Sequence, residues 1–70
     1  MEKGRIGRRI KAFRKLKGYT QVRLAKELNI SLNTLGKIER GTREVSEKLI
    51  QQIAETLNID IEELTGRKEE

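Results

Sequence analysis

The 70-residue chain contains no cysteine, no histidine and no proline. Without cysteine it can form neither a disulfide nor a thiolate metal site, and its redox compartment stays open. The absence of proline suits a chain made mostly of helix. Seventy residues make one domain with a small core, near the lower limit at which a chain folds without cross-links. We therefore expect residues 1–70 to form a single domain.

Long apolar runs are also missing, and aromatic side chains are few. No apolar run is long enough to cross a membrane or to form a signal peptide, so we expect no membrane partner. The basic first segment has no tryptophan anchor, and its apolar face is needed for the core. RNA binding by base stacking is disfavoured too. The only aromatic residues are Phe13, which is needed in the core, and Tyr19, which is needed in the apolar contact at a helix start.

The groups that usually carry catalysis are absent as well. There is no histidine or cysteine, no glycine-rich phosphate loop, and no acidic cluster with a partner base or with metal-ligand spacing. We therefore expect no enzymatic activity, no metal site and no cofactor.

Charge is unevenly distributed along the chain, which carries +5 overall. Residues 1–17 hold eight basic residues against one acidic residue, a net charge of +7, whereas residues 46–70 hold three against seven, a net charge of −4. One end therefore suits a polyanion and the other would repel it. Charge alone does not separate polyanion binding from ordinary solvated helix faces.

A phrase that occurs twice, "LNIS" at Leu28–Ser31 and "LNID" at Leu57–Asp60, marks helix ends and starts. The leucine closes one helix, and the asparagine can take the left-handed conformation just past it. Ser31 or Asp60 then caps the next helix, and the isoleucine before the cap lies five positions ahead of another apolar residue, as in a hydrophobic staple. Glu63 would complete a capping box with Asp60.

The same staple pattern occurs at Tyr19-Thr20 and at Val45-Ser46, so four helix starts follow an amphipathic first segment. Gly18 and Gly41 fall just past predicted helix ends, where positive φ angles are useful. This pattern indicates an all-α domain. We expect helices at about 5–17, 21–28, 32–40, 47–57 and 61–65, a helix-turn-helix at about 20–40, and a mobile tail at 67–70.

Apolar spacing gives each of the first four helices one inward face. We expect those faces to consist of Ile6, Ile10, Phe13, Leu16, Leu24, Ala25, Leu28, Leu35, Ile38, Leu49, Ile50, Ile53, Ala54 and Leu57.

Both copies of the phrase join two short helices, but charge separates their functions. The helix after the second copy begins with Asp60 and continues with Glu62 and Glu63, which would repel phosphate. The helix after the first copy reads "LNTLGKIER" and leaves amide, hydroxyl and cationic groups outside, suited to base edges and phosphates. Those outer positions are Asn33, Thr34, Gly36, Lys37 and Arg40.

The segment "TQVRLAKELNISLNTLGKIERG", Thr20–Gly41, resembles the helix-turn-helix of the lambda-repressor-like, Xre-type family of bacterial and phage DNA-binding proteins. The flanking stretches "IGRRIKAFRKLKGY" and "LIQQIAETLNIDIEELTG" are similar to that family's first helix and closing helix pair. The likeness covers roughly residues 5–66 and implies a compact five-helix lambda-repressor-like DNA-binding domain.

The resemblance also implies residue roles at the matching positions. The positions that enter the major groove are Leu32, Asn33, Thr34 and Lys37. The positions that meet the phosphate backbone are Gln21, Arg40, Thr42 and Arg43. Arg14 and Glu39 match an ion pair that ties the first helix to the recognition helix.

Three positions have alternative interpretations. Leu32 could touch a thymine methyl group or pack at the edge of the core. Val22 stands where the family usually has a polar residue, so it is either a core-edge contact or part of a partner surface. Gly36 either lets the helix backbone approach DNA closely or is a tolerated glycine that destabilises the helix by about 1 kcal/mol relative to alanine.

These observations predict a small bacterial or phage transcription regulator, a repressor that binds double-stranded DNA in the cytoplasm at the nucleoid. We expect a homodimer on DNA, joined through C-terminal apolar residues such as Ile61, and no second domain that senses a small molecule. The alternative function is a protein-interaction module, such as an antitoxin or an antagonist that pairs with a related regulator.

Overall fold

The computed structural model describes residues 2–66, and all the elements in that range are α-helices. They are α1 (Glu2–Leu16), α2 (Gln21–Leu28), α3 (Leu32–Arg40), α4 (Glu47–Leu57) and α5 (Ile61–Thr65). The predicted bounds of the last four helices are confirmed. The first helix begins three residues earlier than predicted, since no capping residue precedes residue 5 to mark its start. The predicted tail, residues 67–70, lies outside the described residues.

Hydroxyl side chains cap three of the helices at their N-termini, as predicted. The hydroxyl of Thr20 accepts from the Arg23 backbone N–H, Ser31 does the same for Thr34, and Ser46 for Leu49. The distances are 3.0, 3.0 and 3.1 Å. Each bond satisfies a backbone donor that has no partner within the helix, so these caps account for the accurate helix starts.

The first four helices also end in one common way. Beyond each end, Gly18, Asn29, Gly41 and Asn58 take positive φ angles between 59° and 80°. The next backbone N–H then bonds back to a carbonyl five residues earlier, at 2.9 to 3.0 Å. This arrangement uses carbonyls that the helix leaves unpaired, and it explains the asparagine in both copies of the repeated phrase.

The core lies where the five helices meet: α1 packs against α3, α4 and α5, α2 packs against α3 and α4, and α4 packs against α5. Its buried apolar residues are Ile6, Ile10, Leu24, Ala25, Leu28, Leu35, Ile38, Ile50, Ile53, Ala54, Leu57 and Leu64. The four residues that precede the helix caps, Tyr19, Ile30, Val45 and Ile59, are partly buried and pack against this core. Among residues 2–66, no helix has the length and apolar character that crossing a bilayer requires.

Leu16 does not belong to the inward face of α1, and that prediction is wrong. Its side chain is 74% exposed and lines an open groove between the end of α1 and the α4–α5 junction. On a helix of 3.6 residues per turn, Gly7 and Arg14 lie on one flank of the Ile6–Ile10 line and Leu16 on the other. Gly7 and Arg14 are buried, so the packed face of α1 is rotated away from Leu16.

The side-chain cap predicted at Asp60 is also absent. Asp60 makes no capping bond through its carboxylate; instead its backbone carbonyl accepts from the Glu63 N–H at 3.0 Å. This tight turn uses the donor that a capping side chain would bind. The other end of α5 is held from α1, because Arg9 Nη1 donates to the Glu63 carbonyl at 3.0 Å.

Gly7 sets the distance between α1 and α3. A Cβ atom built at this position would collide with the Ile38 carbonyl oxygen and would lie 2.8 Å from the Glu39 carbonyl oxygen. Both obstacles are backbone atoms of α3, which cannot move aside as a flexible side chain would. The two helix backbones can therefore approach this closely only because residue 7 has no side chain.

We expect Gly7→Ala to lower the free energy of unfolding by about 1–3 kcal/mol or more, because the clash outweighs the gain in helix propensity. Gly4→Ala is the matched control in the same helix, since its Cβ would meet only Arg8 Nη1 at 3.5 Å. That control should gain up to about 1 kcal/mol. Urea unfolding measures both variants, and equal stabilities would refute the close approach.

Candidate nucleic-acid interface

Helix α3 presents a polar stripe on its outer side. Asn33, Lys37 and Arg40 are exposed, while Leu35 and Ile38 are buried in the core. Residues three and four positions apart share one helix face, so Asn33, Gly36, Lys37 and Arg40 form a single line. The stripe offers amide and cationic donors on a helix whose opposite face is packed in the core.

The two ends of α3 bring further polar groups close to this stripe. At the start, Ser31 Oγ also donates to Thr34 Oγ1 at 2.8 Å, which orients the half-buried Thr34 hydroxyl. Just past the end, Thr42 Oγ1 donates to the Lys37 carbonyl at 3.2 Å, and the adjacent Arg43 is exposed. The predicted contact residues of α3 and of the turn after it therefore lie on consecutive parts of one surface.

A buried ion pair connects α1 to α3. Arg14 Nε donates to Glu39 Oε2 at 2.7 Å and Arg14 Nη2 donates to Glu39 Oε1 at 3.2 Å, in a bidentate arrangement. Arg14 is 6% exposed and Glu39 is 5% exposed. The pair that the resemblance implies is present in the structure.

Two more groups join this ion pair. Arg14 Nη1 donates to the Tyr19 carbonyl at 2.9 Å, and Gln21 Nε2 donates to Glu39 Oε1 at 2.9 Å. The network therefore spans α1, the turn before α2, the first residue of α2, and α3. Within residues 2–66, no buried side-chain nitrogen or oxygen is left without a hydrogen-bond partner. A fully satisfied network of this kind holds α3 in one orientation.

Gln21 holds a position from which it can reach outward. It is half-buried at the start of α2, where the first backbone N–H groups have no acceptor within the helix. A side-chain amide carries two N–H donors, and the bond to Glu39 uses one of them. The second amide donor and the helix N-terminus are suited to an anion.

Gly36 is covered, in contrast to the expectation that it lies open on the outer surface. It is buried, and a Cβ built on it would lie 3.2 Å from Arg40 Nη1. The Arg40 side chain therefore extends over residue 36, one turn earlier in the same helix.

Leu32 and Val22 are exposed by 47% and 60%, and neither joins the core formed by the described residues. This exposure favours a ligand or partner contact over a core-edge contact for both residues. Leu32 stands at the start of α3 beside Asn33, and Val22 follows Gln21 at the start of α2. Each adds apolar surface next to the polar groups of the interface.

The second helix-turn-helix, α4 and α5, carries the opposite charge. Asp60, Glu62 and Glu63 are exposed there, so this junction presents carboxylates where the first presents cations and amides. The structure thus supports the separation of the two junctions that charge predicts.

Three contacts that shape the interface escaped the sequence analysis. They are the approach of α1 to α3 at Gly7, the bond from Gln21 to Glu39, and the Arg23 guanidinium 4.6 Å above the Tyr19 ring. The sequence could have indicated the first contact, because a glycine inside a helix is destabilising and suggests close packing at that position. The other two join residues whose spacing marks no motif.

We expect Glu39→Ala to lower the free energy of unfolding by about 3–5 kcal/mol, because the buried Arg14 charge loses its partner. Glu55→Ala, at an exposed position of α4, should change stability by less than about 0.5 kcal/mol. Thermal and urea unfolding measure both. A Glu39→Ala protein as stable as the Glu55→Ala control would show that the pair contributes nothing.

Comparisons with known proteins agree with this geometry. A profile of the helix-turn-helix family matches residues 10–64. The uncharacterized HTH-type transcriptional regulator YazB of Bacillus subtilis (strain 168) is 60% identical over 58 residues, which cover 83% of this chain and 84% of YazB. The antitoxin PezA of Streptococcus pneumoniae is 38% identical over 87% of this chain, but the match spans only 39% of PezA.

A solved structure has the same fold. The restriction-modification controller protein C.AhdI from Aeromonas hydrophila superposes with a TM-score of 0.82 at 34% identity, over 87% of this chain and 92% of that one. The family profile covers far more than half of the chain. The chain also shares its sequence with the transcriptional regulator YazB and its fold with the controller protein C.AhdI. The chain therefore belongs to the helix-turn-helix family of transcription regulators, in its lambda-repressor-like, Xre-type branch.

Proposed function

We propose that the protein binds specific sequences of double-stranded DNA as a small transcription repressor, with α3 in the major groove. One observation carries the proposal: the exposed stripe of Asn33, Lys37 and Arg40 stands on a helix whose orientation is set by the buried Arg14–Glu39 network. A preorganised helix of this size fits the major groove. The 36% identity with the immunity repressor protein of Bacillus phage phi105 supports repression.

Four residues of α3 are proposed to read bases. The side-chain amide of Asn33 can bond an adenine edge, and Lys37 can donate to guanine O6 and N7. The Thr34 hydroxyl still has its own hydrogen to donate, because its oxygen only accepts from Ser31. Leu32, exposed beside them, provides apolar contact for a thymine methyl group.

The phosphate contacts are proposed to lie on both sides of this helix. Gln21 would donate its second amide hydrogen from the start of α2, while Arg40, Thr42 and Arg43 lie at the end of α3 and in the following turn. Contacts at both ends would fix the register of the helix on the duplex without adding sequence information.

The protein is further proposed to act as a homodimer in the cytoplasm, at the nucleoid. One domain of this size buries few base contacts, whereas a twofold dimer would place two recognition helices about 34 Å apart on a pseudo-palindrome. Ile61, the expected dimer residue, is half-buried and packs against the core, so it offers only part of its surface. No enzymatic step or cofactor enters this function.

A protein-interaction module is the second candidate. The likeness to the antitoxin PezA and the exposed apolar side chains of Leu16 and Val22 favour it. Salt dependence separates the two functions. A DNA reader loses affinity for duplex steeply with salt, with a slope of about −0.9 per phosphate contacted, whereas binding to a protein partner need not follow this slope.

Selection of bound duplexes from a random pool tests DNA reading directly. We expect the wild type to enrich one sequence, and Asn33→Ala and Lys37→Ala each to lose preference at a particular base pair, a change of about 1–3 kcal/mol. The removed donors serve base edges, so the loss should be local in sequence.

Lys26→Ala is the matched control, because Lys26 is an exposed lysine at the far end of α2. It should keep the wild-type base preference, even if its affinity falls uniformly. Identical, uniform weakening in all three variants would contradict the readout roles. An absence of any enriched sequence would favour the second candidate function.

The dimer is tested by sedimentation at high protein concentration, with and without the selected duplex. We expect two protein chains per duplex, since each half-site takes one recognition helix. A single chain per duplex at saturation, together with a monomer in solution, would rule out the dimer.

A further inference from the structure

Arg40 occupies space that its own helix leaves open at Gly36. A Cβ added to Gly36 would lie 3.2 Å from Arg40 Nη1 and 4.0 Å from Arg40 Cζ. The first distance is shorter than ordinary van der Waals contact, so an alanine here would shift the guanidinium by a few tenths of an ångström. The burial of Gly36, a residue with no side chain of its own, is explained by this cover.

The contact places the Arg40 charge in the middle of α3 rather than at its end. Side chains of a helix lean toward its N-terminus, so the guanidinium lies about one turn before its own Cα atom. There it stands over Gly36, on the same line as Asn33 and Lys37. These two residues are proposed to read bases, so the Arg40 guanidinium lies among the base-reading groups.

The Arg40 guanidinium has no partner among the side chains that the structure describes. Arg40 is exposed, and no hydrogen bond or ion pair from residues 4–66 engages it. Arg14, by contrast, uses its donors on Glu39 and on the Tyr19 carbonyl. The planar donor fork of Arg40 therefore remains free for a planar pair of acceptors.

We propose that Arg40 reads a guanine through a bidentate bond to O6 and N7, and that Gly36 is a positioning residue that leaves room for it. The inference rests on the proposed function but replaces one part of it, the phosphate contact that the resemblance implies for Arg40 and that is proposed above. Arginine paired with guanine is the commonest specific contact in the major groove. A phosphate contact from the end of the helix would need no empty space at residue 36.

The test compares selected duplexes for the wild type, Arg40→Lys and the matched control Arg43→Lys. Lysine keeps the charge but loses the planar fork, so Arg40→Lys should still bind duplex. It should lose about five- to 150-fold of the discrimination between guanine and other bases at one position of each half-site. Arg43→Lys should keep that discrimination.

Gly36→Ala tests whether the Arg40 guanidinium needs the open space at residue 36. It should lose part of the guanine preference that Arg40→Lys loses, because its methyl group narrows the space that the guanidinium fills. In a protein that already carries Arg40→Ala, adding Gly36→Ala should cause no further loss of preference. Melting temperatures of all variants verify that each is folded, and alanine at residue 36 favours the helix.

The outcomes separate this inference from the proposed function. If the wild type enriches a sequence and Arg40→Lys keeps the guanine preference, the inference alone is overturned. It is also overturned if Gly36→Ala weakens binding to all duplexes equally, with or without Arg40, since DNA backbone would then need the empty space. A wild type that enriches no sequence would overturn both proposals.

Discussion

The buried ion pair between Arg14 and Glu39 is the interaction on which the geometry of this domain depends. Desolvation of two charges offsets much of their attraction, so the value of such a pair lies more in orientation than in net stability. Here the carboxylate also accepts from Gln21, and the guanidinium also donates to the Tyr19 carbonyl. One pair thereby sets α1, the start of α2 and α3 in a single arrangement.

Close packing of α1 against α3 acts together with the ion pair to fix the position of α3. Gly7 lets the backbone of α1 approach the carbonyl groups of Ile38 and Glu39, and Glu39 is the residue that receives Arg14. The shared contact zone explains why α1 turns its Gly7–Arg14 flank inward and leaves Leu16 in solvent. Helix α3 is consequently supported along its inner side, where Leu35, Ile38 and Glu39 are buried.

Much of the fold could be predicted because its signals are local. A hydroxyl residue at a helix start favours a bond to the backbone N–H three positions later, and an asparagine or glycine past a helix end favours the left-handed conformation. The bounds of α2 to α5 follow from such neighbours. Asp60 is the exception, because in five-residue α5 the backbone turn takes the donor that its carboxylate would have capped.

Five helical segments, the contrast in charge between the two helix-turn-helix junctions, and the polar line on α3 could all be predicted from local sequence patterns. The rotation of α1 and the bond by which Gln21 joins the buried network are visible only in the folded chain. The reason is how far apart in the sequence the interacting residues lie. Caps and helix faces depend on residues within about one turn of each other, whereas helix rotation and buried pairing depend on atoms brought together from distant parts of the chain.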